Sequence, residues 1–391
     1  MATGPFGSSV SAKNFRAEGV PMLRGVNLSE DVHDRLIDED LVFLDPVLAA
    51  GFERSAVRKG DLVFTCWGTV GQIGLIDEAA RFDRYIISNK QMKLTPDSSH
   101  VDSLFLYYYL SQPILIDLVK GQSIGSSVPG FNLGQLKSLP VFLPTLSDQR
   151  AIAEVLGALD DKIAANAGMV ITSSELAALE FEKELREGGV EVELGAVTEL
   201  LARGITPAYT EDSDAMTILN QKCVRDRRVD LEKARKTSLG KVRREKILRL
   251  GDVLVNSTGY GTLGRVARWT GSGQATVDSH ITIVRFDSSK VERTCGGFAL
   301  LRLEHEIEAM GEGSTGQTEL SRVELGRLRI RVPRADAQGP LGSRLDALTR
   351  LVDSRLAESV RLAELRDALL PHLMSGRLRV KDAEKQVEAV V

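Results

Sequence analysis

Between Lys222 and Arg249 the chain carries twelve Lys or Arg against four acids, a local charge of +8 in a protein whose formal net charge is −4. Such a concentration suits a polyanion, because each phosphate neutralised releases a condensed counterion. A merely solvated face would give the same composition, and that plainer alternative stands beside it. Two polar clusters point the same way: Ser88-Asn89-Lys90-Gln91 and Asp278-Ser279-His280. Asn or Gln can pair bidentately with adenine, and Lys can bond guanine. The runs Gly4-Pro5-Phe6-Gly7-Ser8-Ser9 and Ser257-Thr258-Gly259-Tyr260-Gly261 offer backbone N–H groups and hydroxyls at close approach, which suits phosphate contacts and tight turns equally.

Catalytic patterns are weak by comparison. Gly68, Gly71 and Gly74 superficially resemble a dinucleotide loop, but the related run around Gly259 breaks the spacing and no acidic residue follows a clear βαβ unit. There is no phosphate-cradling G-x-x-x-x-G-K-[ST] and no G-x-S-x-G elbow. The five histidines, His33, His100, His280, His305 and His372, show no i, i+4 pairing for zinc. Cys66, Cys223 and Cys295 form no C-x-x-C pair, so reduced thiols are expected. No enzyme activity, cofactor or metal is expected. With 43% apolar and 27% charged residues, 391 residues should fold as two or three packed units. No apolar run is long enough for a membrane span and no secretory leader is readable, so a cytoplasmic location without membrane contact is expected.

The elements that must position these residues occur twice. Gly60-Asp61-Leu62-Val63-Phe64 with Gly68, Gly71 and Gly74 answers Gly251-Asp252-Val253-Leu254-Val255 with Gly259, Gly261 and Gly264. Ser88-Asn89-Lys90-Gln91 falls opposite Val277-Asp278-Ser279-His280 at an offset of 189, and Leu156-Gly157-Ala158-Leu159 meets Leu345-Asp346-Ala347-Leu348 at the same offset. In the first copy, strands are expected at Asp61–Thr65, Arg84–Ser88 and Val141–Leu143. Their counterparts are Asp252–Val255, Ile281–Phe286 and Leu328–Val332. A helix is expected over Ser103–Ser111, with Leu104, Tyr107 and Tyr108 on one side.

Each copy ends in a heptad-spaced stripe. Ile152, Leu156, Leu159, Ile163, Asn166, Val170, Ser173 and Ala177 alternate in steps of four and three. So do Leu341, Leu345, Leu348, Val352, Arg355, Ser359, Leu362, Arg366, Leu369 and Leu373. Thr145 or Ser147 can cap the first helix, Pro371 should kink the second near its end, and Gly376 should stop it. Helices of about 35 to 40 residues are about 55 to 60 Å long, and each stripe would face water unless the two covered one another. The alternative is that each helix covers only its own globular region. The fold expected is α+β: two duplicated mixed α/β domains separated by two long antiparallel coiled-coil helices, pseudo-twofold symmetric. The boundaries are 1–145, 146–187, 188–335, 336–376 and a tail, 377–391.

These features together resemble the specificity subunits of Type I DNA restriction–modification systems. The resemblance is carried by GPFGSS at Gly4, GVPMLRG at Gly19, the pair GDLVFTCWGTVGQIG and GDVLVNSTGYGTLG, LPTLSDQRAIAEVLGALDDKI at Leu143, GITPAY at Gly204 and LRDALLPHLMSGRLRV at Leu365. It implies two target-recognition domains that read the halves of a split, asymmetric site in double-stranded DNA. It also implies two adenine-N6 methyltransferase subunits and translocating, DNA-cutting restriction subunits as partners, with chemistry left to them. A structural adaptor that assembles partners without reading DNA is the competing expectation.

On this reading the DNA-contacting residues are Lys13, Asn14, Arg24, Asn89, Lys90, Gln91, Arg203, Lys222, Arg225, Arg227, Arg228, Ser257, Tyr260, Ser279, His280 and Gln317. Ile152, Leu156, Leu159, Ile163, Leu345, Leu348, Val352 and Leu362 form the coiled coil. The second copy has a segment, Val190 to Arg203, ahead of its GITP loop that the first copy lacks. A start upstream of Met1, or another segment, would fill that gap, and a tail strand from Gly376 to Val380 is expected to pack there.

Overall fold

The computed structural model describes residues 1–5, 9–122, 130–212, 214–311, 319–388 and 390. The chain divides into two compact units, one formed by 1–168 with 355–391 and the other by 169–354. Each is a mixture of sheet and helix, the α+β class expected. Among the described residues no helix is long and apolar enough to cross a membrane.

The first unit is built on a four-stranded antiparallel sheet in the order Ala2–Thr3, Gln91–Leu94, Leu62–Thr65, Ile73–Leu75. The second unit repeats that order with Thr198–Arg203, Ile281–Phe286, Val253–Asn256 and Val266–Arg268. Gly60 and Gly251, just before the equivalent strands, have φ of 87° and 89°, a left-handed turn that glycine enters without steric cost. In each unit a further sheet contains a parallel pair, Val20–Leu23 with Tyr85–Ile87 and Met216–Leu219 with Ala275–Val277. The helix Ser103–Leu110 starts at Asp102, whose carboxylate accepts the Phe105 N–H, and buries Tyr107 and Tyr108.

The long helices run Leu146–Gly188 and Ala335–Met374, and each contributes to both units. In the first unit Ile152, Leu156, Leu159 and Ile163 share one core with Leu362, Leu369 and Leu373. In the second, Ala177, Phe181 and Leu185 pack with Leu341 and Leu345, against which Leu348 is partly buried, and Val352 is buried too. Paired residues count upward on one helix and downward on the other: Asp160 with Arg366 and Asn166 with Glu358 in the first unit, Glu180 with Arg344 in the second. The helices are therefore antiparallel, and the two stripes cover each other. The polar middle of the seam is accommodated by pairing: Asn166 Nδ2 donates to Glu358 at 3.1 Å. The second helix runs through Pro371, and Gly376 follows it at φ 69°.

Three sequence expectations are corrected. Val141–Leu143 is not a strand. Its counterpart Arg329–Val332 is one because it pairs with Val190–Glu193, and among the described residues nothing takes that place in the first unit. Ile330 and Val332 are buried by the pairing, whereas Val141, Phe142 and Leu143 stay exposed. The tail is not a strand either. Val380–Glu388 forms a helix whose Ala383 is fully buried in the first unit's core, with Leu378, Val380 and Val387 packed around it. Its pattern has helical, not alternating, period. Ala383→Asp would leave an unpaired carboxylate in that core, so the first unit should lose about 3 kcal/mol. Limited proteolysis of the intact chain should then release first-unit fragments earlier, with second-unit fragments unchanged.

The third correction concerns register. Backbone hydrogen bonds set the equivalence: Cys66 N–H donates to Lys90 O as Ser257 N–H does to His280 O, both at 2.8 Å. Ser88 N–H donates to Leu23 O as Asp278 N–H does to Leu219 O. Lys90 therefore matches His280, and Gln91 matches the core residue Ile281. The offset in this stretch is 190, not 189.

Candidate nucleic-acid interface

In the first unit the turn after Tyr85–Ile87 and the hairpin between Leu62–Thr65 and Ile73–Leu75 meet at a cavity of about 760 Å³. Arg24, Asn89 and Lys90 line it together with Trp67, Thr69 and Gln72. Asn89 and Lys90 are exposed, and Arg24 is half-buried with its guanidinium donating to Asp40 O at 3.1 Å. The cavity thus brings together amide, ammonium and guanidinium donors beside an aromatic ring. Lys13 is exposed on a short 3₁₀ turn, where Asn14 Oδ1 accepts the Ser11 N–H. Gln91 is fully buried, its Oε1 accepting the Ser88 N–H at 3.0 Å, and it presents nothing to a ligand.

In the second unit His280 and Ser279 occupy the equivalent turn. His280 Nδ1 lies 2.7 Å from Thr258 Oγ1, and its backbone N–H donates to Asp278 Oδ1. Burial holds the Asp278 carboxyl above the usual carboxylate range. Tyr260 is 90% exposed at the hairpin tip. Ser257 is fully buried, 2.6 Å from Thr282 Oγ1, so it is a core residue and not a surface donor. Arg203 is a tether: it donates to Ser279 O, Leu320 O and Glu319. Gln317 lies outside the described residues.

The basic run is divided by the fold. Lys246 Nζ donates to Arg203 O, and burial lowers its pKa; Arg249 pairs with Glu199 at 2.8 Å. Arg235 lies over the Tyr209 ring at 4.9 Å. Lys222 is exposed. Arg225, Asp226, Arg227 and Arg228 make a tight hairpin, with φ of 50° at Asp226 and 61° at Arg227, the two-residue turn that matches strand twist. Arg228 Nη2 donates to Ser174 on the first long helix at 3.3 Å, which orients a tip carrying exposed Arg225 and Arg227. If these two arginines meet phosphate, Arg225→Ala with Arg227→Ala should flatten the slope of log affinity against log salt by about two and leave base preference alone. A salt titration with specific and scrambled duplexes checks both.

Asp31, His33 and Asp34 are the one group of such residues, among those described, with ligand atoms within 4.8 Å of one another; they sit at the surface. The three cysteines are buried thiols. The sequence reading missed Trp67, whose signal was its place between two glycine-rich turns of a repeated hairpin.

Comparison with known proteins fits this layout. Residues 52–170 match the family model of the Type I restriction modification DNA specificity domain. The Type I restriction enzyme EcoBI specificity subunit of Escherichia coli is 28% identical over 123 residues, which is 31% of this chain and 25% of that protein. The chain thus spans about a quarter of that relative's length. The crystal structure of a Type I restriction–modification S subunit from M. genitalium superposes with a TM-score of 0.64 at 15% identity, covering 95% of this chain and 92% of that one, a likeness of fold. Residues 52–170 are thus similar to the Type I restriction modification DNA specificity domain, and the fold is similar to that of a solved S subunit.

Proposed function

We propose that the protein is the DNA-reading subunit of a Type I restriction–modification complex, with no catalysis of its own. Each unit reads one half of a bipartite, asymmetric site in double-stranded DNA, and the paired long helices set the spacing of the halves. Two adenine-N6 methyltransferase subunits and the restriction subunits dock on the same chain. The observation that carries this reading is one sheet frame built twice with unlike edges: Lys90 and Trp67 stand where His280 and Thr258 stand, held by the same backbone hydrogen bonds. Equal frames with unequal donors fit unequal half-sites.

Contact residues on this reading are Lys13, Asn14, Arg24, Asn89 and Lys90 in the first unit, and Lys222, Arg225, Arg227, Tyr260, Ser279 and His280 in the second. Arg203 and Arg228 position their neighbours. Genome-wide methylation mapping in cells carrying the complete system tests the proposal. A split motif that disappears when this chain is deleted supports it. DNA binding indifferent to sequence, with no such motif, would leave only an assembly role.

A further inference from the structure

We infer that Trp67 is a specificity-determining residue of the first unit, reading one base pair through apolar contact at the wall of its cavity; the inference rests on the DNA-reading role proposed above. Trp67 follows strand Leu62–Thr65 and pairs with Gly130 in an isolated antiparallel bridge. A Cβ on Gly130 would come within 2.6 Å of the indole, so only glycine lets the ring lie where it does. The ring is seated by this contact, yet it remains 50% exposed and lines the same cavity as Arg24, Asn89 and Lys90. A large aromatic left half in water beside three polar donors leaves a costly apolar surface for a partner to cover.

The second unit shows that the ring is not part of the shared scaffold. Thr258 makes the equivalent bridge, to Glu319, and Phe131 N–H donates to Cys66 O as Leu320 N–H does to Ser257 O. Residues that hold the frame keep their burial in both units: Leu62 and Val253 are fully buried, and so are Val63 and Leu254. At Trp67 the backbone is retained while the side chain changes from indole to a hydroxyl that meets His280. A position whose frame is fixed and whose chemistry differs between the halves is where unlike base pairs are told apart. An indole has no acceptor and one donor, so its discrimination is mainly by shape and by contact with apolar groups such as the thymine methyl.

The test compares Trp67→Ala and Trp67→Phe with the wild type by methylation mapping in cells carrying the complete system. Trp67→Ala should methylate additional sites that differ from the wild-type motif at one base pair of one half, with selectivity there reduced about tenfold. Trp67→Phe should keep most of that preference. A motif unchanged in Trp67→Ala overturns the inference while leaving the proposed function standing; absence of any motif in the wild type removes the proposed function itself. Should Trp67→Ala give no methylation, fluorescence decides. Trp269 is 4% exposed, so quenching of the isolated chain by a half-site duplex reports Trp67. Quenching by that duplex and not by a scrambled one supports contact with the half-site. Emission unaffected by a duplex that binds overturns it.

Discussion

Arg366→Ala should unfold the first unit about 3 to 5 kcal/mol more easily, with a melting temperature lower by roughly 10 °C. Arg366 is 3% exposed on the second long helix, and its guanidinium donates to Asp160 Oδ1 of the first at 2.8 Å and to Asp367 at 2.7 Å. Asp160 also accepts the Tyr108 hydroxyl, and Arg35 reaches Tyr108, Asp77 and Asp161. This network joins both long helices to the helix Ser103–Leu110 without leaving the first unit. Burial opposes the charge on Arg366, yet the Asp160 carboxylate keeps its pKa raised. Removing the arginine leaves a carboxylate that is 2% exposed without its cation. The loss is therefore the cost of an unpaired buried charge and not the net worth of the pair. Asp160→Leu with Arg366→Met should accordingly recover most of the stability lost by either single change, as denaturant melts of the three variants would show. Additive losses in the double variant would refute the account.

The seam of the long helices was legible because heptad spacing depends only on residue type along one segment. The duplication was legible for the same reason: glycine turns and strand cores repeat as strings. The polar positions inside the seam were legible as weak points but not as partners, since Asn166 meets Glu358 from a segment almost two hundred residues away. Site residues were harder to read. Gln91 and Lys90 are neighbours of similar polarity, yet one closes a turn in the core and the other lies on the surface. A shift of one residue in a strand exchanges the two faces, and the offset of 190 decides which face each occupies. Ser257 belongs to a glycine-rich run that reads as an exposed turn, yet it is buried against Thr282. The charge of Arg203 suits a phosphate, but it is committed to Glu319 and to two carbonyls that only the fold brings near. Val141–Leu143 has the composition of a strand, and strand formation needs a partner that its own sequence cannot supply.

On the function proposed, exchanging residues 1–144 for those of a Type I specificity subunit should replace one half of the recognised site and preserve the other. Every first-unit residue assigned to contact, Lys13, Asn14, Arg24, Trp67, Asn89 and Lys90, lies within the exchanged segment. Every second-unit contact lies outside it. The segment packs against the first long helix, however. Gln149 donates to His100 O and Pro144 O and accepts the Asp102 N–H, while Tyr108 meets Asp160 and Arg35 meets Asp161. An incoming segment that retains Tyr108 and Arg35 should dock on the resident helices. One that replaces Tyr108 by Phe should lose stability, because Asp160 Oδ2 would then lose its donor in a buried site while Oδ1 kept Arg366. Specific sites exceed nonspecific DNA by about 10³-fold or more in affinity, so a new half should appear in methylation maps as full replacement and not as relaxed choice. Change in both halves would mean that the units do not read independently. No change would place base reading outside residues 1–144, and with it the contact set assigned to the first unit.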